Sequence, residues 1–133
     1  MKSKFGFSLP EITIILAFLA LVAIFVTVNI LDYSAFARDN TRKSDINAIY
    51  YALENVYFKS HNYYPETISP DILTVVDQSA FTDPSGLTLG SIGSQYFYEP
   101  GNCHQGQCQE FKLWAHLEKE PTYLKTHLTK VAD

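Results

Sequence analysis

The sequence predicts an α+β fold in which one long N-terminal helix, apolar in its first half and amphipathic in its second, packs on a small antiparallel sheet. Three observations carry that prediction. From Ile12 to Leu31 only Thr13, Thr27 and Asn29 are polar. From Asp32 to Lys59 there is no glycine or proline, and apolar residues recur at helical spacing. Beyond Pro65, turn-forming residues separate aromatic and alternating stretches with the two-residue period of strands.

The helix starts with Ser8-Leu9-Pro10-Glu11, which fits the S-x-x-E capping box, and Pro10 suits a first turn because its missing N–H has no intrahelical partner there. About twenty apolar residues at a rise of about 1.5 Å span about 30 Å, the thickness of a bilayer's hydrocarbon core. Further on, Ile46, Ile49, Tyr50, Leu53, Val56 and Tyr57 form one apolar face. Arg38, Arg42, Lys43, Asn47, Glu54 and Lys59 fall mostly elsewhere on the wheel. A helix from about Leu9 to Lys59 would be roughly 75 Å long. His61-Asn62-Tyr63-Tyr64-Pro65 ends it, because the residue before a proline disfavours the α region.

Pro65 to Ser94 is loop-rich, punctuated by Pro70, Pro84, Gly86, Gly90 and Gly93, with a short helix expected near Asp71 to Asp77. Gln95 to Glu99 reads as a strand. Gln109 to Glu118 reads as a second, with Phe111, Leu113, Ala115 and Leu117 on one face and Lys112, Trp114, His116 and Glu118 on the other. Pro100 to Cys108 is the expected hairpin connection, and Tyr123 to Leu128 a third strand or a turn.

The net charge is −4 and no run of Lys or Arg suggests a nucleic-acid partner. Cys103 and Cys108 read first as a disulfide in an oxidising compartment. The rival is a metal site with Cys103, His104 and Cys108 as ligands, which lacks a fourth ligand and the usual paired spacing. Flanking charge does not orient the apolar segment, since Lys2 and Lys4 precede it while Arg38, Arg42 and Lys43 follow. The disulfide breaks the tie by requiring the C-terminal part outside the cytoplasm. Catalysis is not expected. The glycine-rich stretch from Gly86 to Gly93 lacks a G-K-S/T, no G-x-S-x-G or H-E-x-x-H occurs, and His61, His104, His116 and His127 are scattered.

Glu11 is the anomaly, because a carboxylate at the mouth of a hydrophobic segment is costly unless compensated. A secretory signal peptide with cleavage at Ala35-Phe36-Ala37 is one alternative, but the apolar stretch exceeds the length of an ordinary signal core. Gly6-Phe7-Ser8-Leu9-Pro10-Glu11, behind a short Lys-bearing leader and ahead of the apolar run, resembles the N-terminus of a type IV prepilin. The resemblance implies that a prepilin peptidase cuts between Gly6 and Phe7 and methylates the new Phe7 amine. It divides the chain into a leader (1–6), a transmembrane and filament-core helix (7–31) and a globular headgroup (32–133). Glu11 of one subunit would then pair with the Phe7 amine of its neighbour, fixing axial register more than adding net stability.

The implied protein is a structural pilus subunit. Its partners are further copies of itself, the peptidase, the membrane, and a pilus assembly platform with its ATPase. The filament would serve surface functions such as adhesion or twitching motility. A type II secretion pseudopilin is the nearest alternative, and a secreted or membrane-tethered binding domain is the alternative of another class. Asp83-Pro84-Ser85-Gly86 matches the D-P-x-G loop of pseudopilins, with Ser85 where the major ones usually carry an aromatic residue. Asn62 to Pro65 departs by one residue from their N-x-x-Y-P helix end. In those relatives the loop can hold calcium, which makes Asp83 with Asp77 a calcium candidate, against a turn-initiating Asp-Pro as the simpler reading. No other cofactor is expected.

Overall fold

The computed structural model describes residues 8–127. The chain divides into two compact units, Met1–Ala35 and Phe36–Asp133. Helix α1 (Leu9–Tyr51) is followed by a π-helical turn (Ala52–Tyr57) and a last α-helical turn, α2 (Phe58–His61). At its start the Ser8 carbonyl accepts from the amides of Glu11 and Ile12 at 3.0 and 3.2 Å. The Glu11 carboxylate reaches back to accept from the Ser8 amide at 3.4 Å, the returning half of a capping box. At the other end Asn62 takes a left-handed conformation (φ 63°), and its amide donates to the Phe58 carbonyl at 2.7 Å. The stop is therefore an αL cap three residues before Pro65.

In the second unit the buried face of the helix comprises Asp39, Arg42, Ile46, Ile49 and Leu53. The spacing alternates four and three residues, so the stripe is continuous, but two of its members are charged. The π-helical turn was not visible in the sequence. Its wider winding buries Ala52, Leu53 and Glu54 in succession, which an α-helix face does not do. Glu54 thus faces inward, against the expectation from the wheel, and accepts from the Tyr64 hydroxyl at 3.1 Å.

The sheet has β3 (Gln107–Ala115) at its centre. β2 (Tyr96–His104) lies on one side, and β1 (Tyr64–Pro65) and β4 (Tyr123–Thr126) pair with the other, all antiparallel. Phe111, Leu113 and Ala115 are buried and pack with Ile46, Ile49, Leu53, Tyr64 and Tyr96. Each large apolar side chain so buried contributes about 1.5–3 kcal/mol. Leu128 lies outside the described residues.

Two loop expectations are corrected. Pro100 to Cys108 is not a hairpin connection, because the strands run on to a two-residue turn at Gln105 (φ 53°) and Gly106 (φ 79°). Two successive positive φ angles match the twist of a tight hairpin. Pro100 sits in β2 without breaking it, because β2 pairs on one side only and an edge strand tolerates the missing N–H. No helix forms from Asp71 to Asp77. The segment is a series of turns, and Asp77 caps a 3-10 turn (Gln78–Phe81) by accepting from the Ser79 amide. The carboxylate expected at the end of a helix instead caps the start of a 3-10 turn.

Candidate functional site

In the first unit every described residue from Ser8 to Thr27 is exposed, including Leu9 at 82% and Phe25 at 72%. The hydroxyls of Thr13 and Thr27 donate to the carbonyls of Pro10 and Ile24 at 2.8 and 2.9 Å. Their polarity is thus absorbed by the helix itself, and the surface presented is hydrocarbon. This helix is long and apolar enough to cross a membrane. Glu11 is the one charged residue between Ser8 and Thr27. Gly6 and Phe7, the residues of the expected cut, lie outside the described residues. Ala35 to Ala37 lies within α1 and not in an extended segment.

The second unit holds a charged cluster that sequence reasoning missed. Asp39 is fully buried and Arg42 is 2% exposed. The Asp39 carboxylate accepts from the Glu118 amide at 2.9 and 3.0 Å, the Lys119 amide at 2.8 Å and Arg42 Nη1 at 2.8 Å. Arg42 Nη1 also donates to Glu118 Oε1 at 2.8 Å. Arg38 grips the same carboxylate with two parallel bonds, Nε to Oε1 at 2.7 Å and Nη2 to Oε2 at 2.6 Å. Lys43 pairs with Glu120 nearby.

Burial by itself pushes the Asp39 carboxyl up. The amides of Glu118 and Lys119, with Arg42, outweigh that and hold it below the usual carboxylate range. Glu118 is held down at about 2, chiefly by its bonds to Arg38 and Arg42. Two cations and two anions balance here, and the arrangement staples the chain after β3 onto the helix. The three cations that follow the apolar segment in sequence, Arg38, Arg42 and Lys43, are thus all paired with acids. The signal that could have found the cluster was the apolar stripe of Ile46, Ile49 and Leu53, which continues at the same spacing through Arg42 and Asp39.

Asp83 is buried, and its carboxylate accepts from the amides of Ser85, Leu87 and Gln95 at 2.8, 3.2 and 3.1 Å. Asp77 serves a different turn, accepting from the amide and hydroxyl of Ser79. Both calcium candidates are therefore engaged with the backbone of their own loops. Among the described residues, no group of three or more His, Cys, Asp and Glu side chains is arranged to hold a metal ion. Cys103 and Cys108 form a disulfide between directly opposed residues of β2 and β3, next to the hairpin turn. The bond consumes two of the three ligands of the rival metal reading. Of the histidines, His61 stacks on Tyr57 and His116 meets Thr122, while His104 is exposed at the turn.

Comparison with family models, with curated proteins and with solved structures gives no match for this chain.

Proposed function

We propose that this chain is a structural subunit of the type IV pilin kind. It is made as a single-pass precursor in the cytoplasmic (inner) membrane with its C-terminal domain outside, cut between Gly6 and Phe7, and polymerised into an extracellular filament. The reading is carried by one observation: an exposed helix of membrane-spanning length that bears a single carboxylate at its entrance, Glu11, five residues into the chain that such a cut would leave. The helix must be covered by lipid or by sister helices, and Glu11 needs a cation that its own segment lacks. The amine created on Phe7 of a neighbouring copy supplies it. Two groups that are costly alone become tolerable together, and a wrong register leaves both unpaired.

The disulfide supports an outward domain, because such bonds persist in oxidising compartments. Polymerisation moves the helix from lipid into a protein bundle, so burial from water adds little. Packing, charge pairing and an assembly ATPase supply the drive. Adhesion or twitching motility are the surface functions this reading proposes. The Asp83-Pro84-Ser85-Gly86 loop favours a second reading, a type II secretion pseudopilin of the same build.

The test is N-terminal mass analysis of the chain from cells with and without a prepilin peptidase. A chain beginning at methylated Phe7, only when the peptidase is present, is expected. Gly6→Val should leave a full-length, membrane-held, unassembled precursor. Normal filaments from that variant would refute the assigned cut, and a chain starting near Arg38 would point to a secreted domain instead.

A further inference from the structure

The sheet has a second face that the core does not use. From Phe111 to the end of β3 burial alternates, with Phe111, Leu113 and Ala115 buried, so Lys112 and Trp114 point to the opposite side. The register sets Phe97 of β2 opposite Trp114 and Glu99 opposite Lys112. The rings of Phe97 and Trp114 stack with centroids 5.3 Å apart and planes 13° from parallel, and neither side chain is fully covered. Leu124 of β4, opposite Trp114 on its other side, is 52% exposed. Opposite charges set directly across a strand pair ordinarily attract one another. Yet Glu99 and Lys112 are both exposed, and neither joins an ion pair among the described residues.

We infer that this face is a two-fold contact with a second copy of the chain. An axis running along the strands, midway between two facing sheets and above the seam of β2 and β3, carries Glu99 of each copy over Lys112 of the other. The same operation lays Phe97 over Trp114. The result is two reciprocal ion pairs beside a centre of four aromatic rings, a patch that is its own complement, as an isologous contact requires. Facing sheets lie about 10 Å apart with strands aligned to within about 30°, a gap that glutamate and lysine side chains together bridge. Charge selects this axis over the one that runs across the strands, which would set Glu99 against Glu99 and Lys112 against Lys112. Only residues of the Phe36–Asp133 unit take part, so the contact stands apart from any polymerisation through the apolar helix. Three strands offer a small surface, and the contact gains most from copies already held side by side.

The experiment uses the full-length chain in phosphatidylcholine vesicles, treated with a carbodiimide that joins a carboxylate to an amine at contact distance. A covalent dimer is expected, with the linked peptides carrying residues 99 and 112. Glu99→Gln alone and Lys112→Gln alone should each lose that link, since each copy then offers only one partner. Mixing the two variants should restore part of it, because the Lys112→Gln copy supplies Glu99 and the Glu99→Gln copy supplies Lys112. Both changes are on exposed side chains, and an unchanged far-ultraviolet circular dichroism spectrum verifies the fold. No dimer from the unaltered chain, a dimer linked at other residues, or no recovery on mixing would each overturn the inference.

Discussion

Glu11 and Asp39 are both carboxylates on helix α1, and they are solved in opposite ways. Glu11 is exposed among exposed apolar side chains, and its bond to the Ser8 amide is long at 3.4 Å. Asp39 is fully buried among two backbone amides and Arg42, all within 3.0 Å. The same contrast holds for the two regions they belong to. Residues from Ser8 to Thr27 bury nothing of their own, whereas the domain beyond Phe36 closes a core of helix, sheet and loop around Ile49, Tyr96 and Phe111. The domain's buried charges are satisfied from within the chain. For Glu11 the one hydrogen bond shown is to the Ser8 amide, and the proposed function supplies its cation from another copy.

The comparison is broken most severely by removing Asp39. Asp39→Ala leaves Arg42 buried without its carboxylate and strips the acceptor from the amides of Glu118 and Lys119. Breaking a buried pair in this way costs about 3–5 kcal/mol. The full-length chain in detergent provides the measurement through urea unfolding, followed by the fluorescence of Trp114, its single tryptophan. A loss below about 1 kcal/mol would mean that the cluster is an ordinary surface network.

That cluster also marks the limit of what the residues revealed in advance. The helix, the central strand and the disulfide were legible because each rests on a local rule: apolar spacing, two-residue alternation, or two nearby cysteines. Asp39 and Arg42 were not, because a charged pair three residues apart on a helix ordinarily lies in solvent. Only the partner segment near Glu118, some eighty positions away, turns that pair inward. The hairpin was mistaken for the same kind of reason. Pro100 and Gly101 are turn formers locally, but on an edge strand a proline loses nothing, and Gln105-Gly106 made the tighter turn. At the N-terminus the returning half of the capping box was legible in Ser8 and Glu11, whereas Gly6, where the resemblance implies a cut, lies outside the described residues.

Acid should weaken the domain through the same cluster, by less than deletion of Asp39 does. Arg38 and Arg42 hold Glu118 at about 2, against an ordinary value of 4.5, and Asp39 is lowered as well. A carboxylate whose folded value lies below its unfolded one adds stability above the unfolded value and loses it as pH falls toward the folded one. The urea midpoint should therefore be level above about pH 5 and fall progressively toward pH 2. Glu118→Gln should flatten part of that fall. Glu118 is about a third exposed, at 35%, so solvent screening keeps its share modest. An unchanged slope in the variant would assign the acid sensitivity to other carboxylates.

The smallest effect on the domain is expected from Glu11, and that is where the comparison becomes sharpest. Glu11→Ala and Glu11→Gln lie in the other unit and should leave the urea midpoint read at Trp114 where it was. If helix capping were the whole purpose of Glu11, its loss would cost the helix start about 0.5–2 kcal/mol, and glutamine, which can also accept from the Ser8 amide, would nearly replace it. If Glu11 instead meets the Phe7 amine of a neighbour, charge is what matters and glutamine fails with alanine. Both variants should then insert, be cut after Gly6 and fold their sheets, yet give little sheared filament beside abundant membrane-held subunit. Filament yield from Glu11→Gln decides between the accounts. Normal filaments from it, together with poor ones from Glu11→Ala, would return Glu11 to a capping role and leave the apolar helix to find its register by packing alone.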